Sequence, residues 1–236
     1  MRIKEQFEKS ANSYEVHSRI QLLGAKEIVN ELKSPINTIA DLGCGSGRLY
    51  KELIDNNIAF NKFYGIDFAK NMLSLHPKDS NVELIEGNFN EDKLFKRLEI
   101  LNIDMIVSAS ALQWAKDLNF TLNRCAKSAK KGIFFIFSSN TFKNLHKTIG
   151  ITSPIYRKEE IIEAFNNSYK TIKIEEFNHK LEFNSTIDML KYIKKSGVSG
   201  GLNIEYKKMR YLIDNYPLKY LEFETILLVG ESLAKN

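Results

Sequence analysis

The chain has 236 residues, 43% of them hydrophobic and 27% charged, with a formal net charge of +5 at pH 7. That length suffices for one sizeable domain with a full core, and no compositional break divides it. The opening MRIKEQFEKS holds no apolar signal segment, and runs such as Gly132-Ile133-Phe134-Phe135-Ile136-Phe137 are far too short to span a bilayer, so no membrane association and a soluble, cytoplasmic chain are expected. Cys44, in a glycine turn, and Cys125, in a helical pattern, make neither a disulfide framework nor a metal site. No basic run interleaved with aromatics marks a nucleic-acid surface, and Lys191, Lys194 and Lys195 share one predicted helix on which charges are solvated.

After an N-terminal helical region, short apolar runs alternate with helical segments. Residues 39–42, 63–67, 82–85, 103–107 and 133–137 read as strands, several of them nearly continuous in apolar residues, as strands buried on both faces should be. Asp117 is placed to cap a helix whose Leu118, Leu122, Cys125 and Ala129 fall on one face. The alternation predicts right-handed crossovers and a mainly parallel sheet. Beyond Tyr156 the pattern loosens: 157–166 reads as helix, and 171–183 alternates like an antiparallel strand. Ser185-Thr186-Ile187-Asp188 resembles a capping box opening a helix that ends near Gly197, and 226–229 forms a last strand. The fold class expected is α/β, a doubly wound, mainly parallel seven-stranded sheet with an antiparallel C-terminal edge and an N-terminal helical lid.

Asp41-Leu42-Gly43-Cys44-Gly45-Ser46-Gly47 follows the first strand and opens a helix, which sets a side-chain-poor turn at the carboxyl end of the sheet, where ligands of open α/β sheets bind. The spacing is G-x-G-x-G, with Arg48 and Leu49 beyond it, so the dinucleotide fingerprint is not met. Asp67 ends the next strand, where a carboxylate can accept from both hydroxyls of a ribose. Asn88 and Phe89 follow the third strand, an amide and an aromatic face suited to adenine. Together these strand ends resemble the class I S-adenosylmethionine-dependent methyltransferases. The resemblance implies S-adenosylmethionine as cofactor, held by Asp41, Gly43, Gly45, Gly47, Asp67, Asn88, Phe89 and Ser110, with no metal.

Methyl transfer is an in-line displacement, so an enzyme mainly holds nucleophile and methyl group in line, and a base matters only for a protonated nucleophile. After the fourth strand stands Ser108-Ala109-Ser110-Ala111-Leu112-Gln113-Trp114, without the Pro-Pro pair typical of enzymes that methylate base amines or glutamine amides. A carboxylate is already ionised at neutral pH and needs no base. Leu112-Gln113-Trp114 resembles two carboxyl methyltransferase families, the malonyl-acyl-carrier-protein enzymes of biotin synthesis and the trans-aconitate enzymes, and does not separate them.

The ends of the chain bear on that choice. Phe7, Ala11, Tyr14, His17 and Gln21 resemble the opening of the biotin-pathway family. Lys131-Gly132, Asn144-Leu145-His146, Ser196-Gly197-Val198 and Tyr216-Pro217-Leu218-Lys219-Tyr220 continue the likeness over nearly the whole chain. Lys130 stands where that family often has proline, and the segment 142–156 is short.

The resemblance implies a single domain, 1–236, divided into a helical lid (1–34), a cofactor-binding core (35–140) and an acceptor-side region (141–236). It implies methylation of malonyl-acyl carrier protein, or malonyl-coenzyme A, by a monomer, with Tyr14, Gln113, Trp114 and Arg157 at the reacting end. Tyr14, Arg157 and His146 are candidates for binding the acceptor carboxylate. Arg157, Lys158, Lys191, Lys194 and Lys195 are candidates for meeting an acidic carrier. The rival readings are a trans-aconitate-type enzyme and a non-catalytic S-adenosylmethionine-binding protein.

Overall fold

The computed structural model describes residues 19–196 and 206–234. Helix α1 (Arg19–Glu31) leads into β1 (Ile36–Leu42), after which helix and strand alternate as α2 (Arg48–Asp55), β2 (Phe60–Asp67), α3 (Lys70–Leu75), β3 (Val82–Glu86), α4 (Asp92–Leu98) and β4 (Ile103–Ala109). A 3-10 turn (Leu112–Trp114) and α5 (Leu118–Ser128) precede β5 (Ala129–Phe137). The remainder runs α6 (Lys143–Thr148), α7 (Lys158–Asn166), β6 (Tyr169–Glu182), α8 (Thr186–Ser196), α9 (Tyr206–Asn215) and β7 (Tyr220–Ser232).

Seven strands form one sheet in the order β3-β2-β1-β4-β5-β7-β6. The first five are parallel, and β7 lies between β5 and β6, antiparallel to both. This is the doubly wound, mainly parallel sheet with an antiparallel C-terminal edge that the alternation predicts. The strand order reverses between β1 and β4, and that reversal opens the crevice at their carboxyl ends.

The near-continuous apolar runs are explained by burial on both faces. On β5, Ile133 and Phe135 pack with β1's Ile39, β2's Phe63 and helices α1 and α2, whereas Phe134 and Ile136 pack with Phe95 of α4, Leu122 of α5 and Phe165 of α7. Each such side chain contributes roughly 1.5–3 kcal/mol of transfer free energy, so both layers hold the central strands. Asp117 accepts from the Phe120 N–H at 2.9 Å, which caps α5 as predicted. At the start of α8 the Asp188 N–H donates to Ser185 Oγ at 3.1 Å, the expected cap, and the Ser185 hydroxyl donates to Asp188 Oδ2 at 2.7 Å.

Two features depart from the reading. β7 begins six residues before the apolar run 226–229, because its first part alternates: Leu221 and Phe223 face a core while Glu222 and Glu224 face the other way. The described part of the expected N-terminal lid is a core helix. Ala25, Ile28 and Val29 of α1 pack with Leu49 and Phe135 against the sheet, which takes them away from any role as a cover. Residues 1–18, with Tyr14 among them, and Gly197 and Val198 lie outside the described residues.

A third core sits beyond the carboxyl end of β5. Phe137, Phe142, Leu145, Tyr192, Leu212 and Phe223 bring α6, α8, α9 and the start of β7 together there. Helix α9 falls between the helix expected from Ser185 and the last strand, where the sequence pattern marks no element of its own.

Candidate functional site

The loop between β1 and α2 is shaped by its glycines: Gly43, Gly45 and Gly47 hold φ of +76, +56 and +83, in the left-handed region that side chains resist. The Gly43 and Cys44 N–H groups donate to Ile66 O of β2 at 2.8 and 3.0 Å, fixing the turn to the neighbouring strand end. A Cβ on Gly43 would stand 2.3 Å from that of Ala111, so the loop after β4 lies directly on this turn. At Gly45 a Cβ would meet nothing within 4 Å, which leaves an open face where backbone can approach a ligand.

Two carboxyl groups flank that face. Asp67, at the end of β2, accepts from the Gly45 N–H at 3.0 Å and the Ala69 N–H at 2.8 Å. Asp41 is 1% exposed, and its Oδ1 has no hydrogen-bond partner. Burial, then the charge of Asp67, pushes its pKa up to about 8. A buried carboxyl without a counter-charge is held in its neutral form, and a cationic ligand beside it would favour the ionised one. Cys44 beside them is held firmly as the thiol by burial and by both aspartates, which leaves it a spacer with no nucleophilic character.

The third strand end differs from its prediction. Asn88 Nδ2 donates to Glu91 at 3.0 Å and its Oδ1 accepts from the Asn90 N–H at 3.0 Å, so the amide serves the local turn. The Phe89 ring packs in the core with Leu94 and Leu118 and offers no free face for stacking. The apolar surroundings set by α4 and α5 take it inward.

The end of β4 is strained. Ser110 has φ +66, its N–H donates to Phe135 O at 2.8 Å, and its buried Oγ has no partner. Non-glycine residues in this conformation cluster at functional sites. Gln113 Nε2 donates back to Ser110 O at 2.7 Å, while its buried Oε1 is unpartnered. The next residue, Trp114, borders a small cleft that is also lined by Phe142, His146 and Ser153. Tyr156 closes this region by donating to Ala115 O at 2.8 Å.

Arg157 is not brought to this cleft. Its backbone N–H and guanidinium both meet Glu160, at 2.7 and 3.2 Å, and its side chain is 70% exposed at the start of α7. Among the other residues proposed for an acidic carrier, Lys158 pairs with Glu176 and Lys191 with Asp188; the Lys195 side chain lies outside the described residues. His146, expected alongside Tyr14 and Arg157 as a candidate for the acceptor carboxylate, lines the cleft. Phe142 and Ser153 also line the cleft, and no local motif announces them.

The residues at the ends of β1 and β2 fit S-adenosylmethionine: an open glycine turn, a buried carboxyl whose Oδ1 has no partner, and a strand-end carboxylate beside them. No cluster of His, Cys, Asp or Glu able to hold a metal ion occurs among the described residues. No described helix is long and apolar enough to cross a membrane.

A model of the Methyltransferase domain family matches residues 40–134, the stretch from the end of β1 to β5. A malonyl-[acyl-carrier protein] O-methyltransferase of Calditerrivibrio nitroreducens is 24% identical over 94% of this chain and 89% of its own length. A second, malonyl-[acyl-carrier protein] O-methyltransferase 2 of Coxiella burnetii, is 26% identical over 100% of this chain and 96% of its own. Among solved structures, a methyltransferase of Haloferax volcanii in complex with the Trm112 activator has a TM-score of 0.61 at 17% identity, covering 96% of this chain and 97% of that one. A geranyl diphosphate methyltransferase in complex with S-adenosylmethionine has a TM-score of 0.53 at 12% identity, covering 90% and 85%. The chain has the fold of the class I methyltransferases, carries a methyltransferase-domain match over residues 40–134, and is similar over nearly its whole length to malonyl-[acyl-carrier protein] O-methyltransferases.

Proposed function

We propose that this enzyme methylates the free carboxylate of a malonyl thioester on acyl carrier protein, giving the methyl ester that starts pimeloyl synthesis for biotin. The observation that carries the proposal is the loop after β4. It lies on the glycine turn through Ala111 and Gly43, contains no Pro-Pro pair, and places Trp114 in the wall of a largely apolar cleft.

Bound S-adenosylmethionine supplies an electrophilic methyl group on a sulfonium. The protein's own part is placement. Asp41 and Asp67 hold the positively charged and hydroxyl-bearing portions at the strand ends. Ser110 and Gln113, locked to each other, define the floor on which the acceptor carboxylate arrives. Trp114 forms a wall that excludes water from the reacting oxygen, and Tyr14 is assigned to the cover over the site. An ionised acceptor needs no proton removed, which agrees with a methyl site whose two carboxyls are committed to the cofactor. Esterification also makes chemical sense: an ionised carboxylate in an apolar synthase tunnel costs several kcal/mol, and an ester removes that charge. We assign the activity to a cytoplasmic monomer.

The test is transfer of labelled methyl from S-adenosylmethionine to malonyl-acyl carrier protein, malonyl-coenzyme A and trans-aconitate. Labelled methyl ester on a malonyl thioester supports the proposal. Ester on trans-aconitate alone, or on none of the three, overturns it.

A further inference from the structure

The cleft beside Trp114 carries a requirement of its own. His146 is only 6% exposed, yet neither Nδ1 nor Nε2 has a hydrogen-bond partner, and the buried Ser153 Oγ has none either. Buried polar groups are costly to leave unmet, so paired orphans facing one cleft mark a place where something binds. The walls around them are apolar: Trp114, Phe142, Pro154 and Ile155. Phe142 itself holds φ +58, a strained conformation for a residue with a side chain, at this cleft and outside the cofactor turn.

Position relative to the reacting centre follows from the backbone. Ala111 touches the glycine turn and Trp114 lines the cleft, and a single 3-10 turn joins them, a rise of roughly 6 Å. A malonyl thioester carries its second carbonyl one methylene beyond the carboxylate, so with the carboxylate at the methyl group the thioester carbonyl reaches toward this cleft.

Charge then selects the ligand atom. Burial holds His146 below its ordinary pKa and thus neutral, while the Glu222 carboxylate acts on the same imidazole and has its own Oε2 unpartnered. A second anion would be repelled there; a neutral carbonyl oxygen meets an imidazole N–H and a hydroxyl. Resting on the proposed function, we infer that this cleft holds the thioester carbonyl of the acceptor, with His146 and Ser153 donating to its oxygen. They are acceptor-binding residues that distinguish a malonyl thioester from a free dicarboxylate.

The experiment compares malonyl-coenzyme A with S-(2-carboxyethyl)-coenzyme A, a thioether of equal length that keeps the carboxylate and lacks the carbonyl; carrier-protein conjugates serve equally. Ser153→Ala and His146→Phe should each raise KM for the thioester about tenfold. KM for the thioether and Kd for S-adenosylhomocysteine should stay within about twofold of wild type. The ring 15N signals of His146, one of four histidines, should shift when malonyl-coenzyme A joins the S-adenosylhomocysteine-bound protein and stay in place with the thioether. Equal losses on both acceptors, or no loss on either, overturn the inference while the function stands. If wild type binds the cofactor but methylates no malonyl thioester, the proposed function fails and the inference falls with it.

Discussion

The side proposed for the cofactor and the side proposed for the acceptor meet at the loop after β4, and they are built by different means. The cofactor side is made of backbone: three glycines at positive φ and carboxyl groups at the ends of adjacent parallel strands. The acceptor side is made of side chains from distant parts of the chain, with Trp114, Phe142, His146 and Ser153 gathered around one cleft by the third core. A backbone site tolerates almost no change at its turns. A side-chain site can be retuned residue by residue, and this is how one methyl-transfer frame serves many acceptors.

The most severe way to test this contrast is at the turn. Gly43→Val forces a β-branched residue to φ +76 with its Cβ 2.3 Å from Ala111; the expected result is a loss of about 10³-fold in cofactor affinity by calorimetry, from left-handed strain plus overpacking. Wild-type affinity would mean that the open face at Gly45 is not the cofactor side.

Trp114→Ala should spare the turn and damage the cleft. Kd for S-adenosylhomocysteine stays near wild type while kcat/KM for the malonyl thioester falls by about 10²-fold, because the acceptor is no longer held in line. Normal turnover would make Trp114 a hydrophobic plug and dissolve the distinction between the two sides on the acceptor half.

A smaller effect is expected from Asp41. Its pKa, raised to about 8 in the ligand-free protein, keeps it protonated at neutral pH. A positively charged ligand favours the ionised form, so binding expels a proton. Affinity should therefore rise with pH by at most about tenfold per unit up to pH 8 and then level off. The same raised pKa means that the ligand-free fold loses stability as pH rises through this window, since the folded state binds the extra proton. Calorimetry in buffers of different ionisation enthalpy measures the proton, and Asp41→Asn should abolish both slopes. An unchanged pH slope in that variant would remove Asp41 from the cofactor site.

The smallest effect is expected at Arg157. With its guanidinium exposed and spent on Glu160, Arg157→Ala should leave KM for the malonyl thioester within about twofold. A larger rise in KM would show that the start of α7 reaches the acceptor after all and extend the acceptor side beyond the cleft.

These two constructions also explain what could be read in advance. Glycines that demand positive φ, a carboxylate ending a strand and the period of buried strands are local properties, so the glycine turn, Asp67, the seven strands and the cap at Asp117 were legible from neighbouring residues. Phe89 was misread because an aromatic after a strand looks the same whether it faces a ligand or, as here, a core completed by α4 and α5. Arg157 was misread because a charge at a helix start gives no sign of its partner three residues on.

The sequence by itself determined the α/β frame, its cofactor turn and, through a missing Pro-Pro pair and a Gln-Trp, the class of chemistry. Only the tertiary structure decided that α1 is a core helix, that Ser110 is strained, and that His146 and Ser153 share a cleft with Trp114. The reason is physical: hydrophobic period and turn conformation are set by residues close in sequence, whereas an unpartnered polar atom becomes a binding site only when packing between remote segments shuts out water around it.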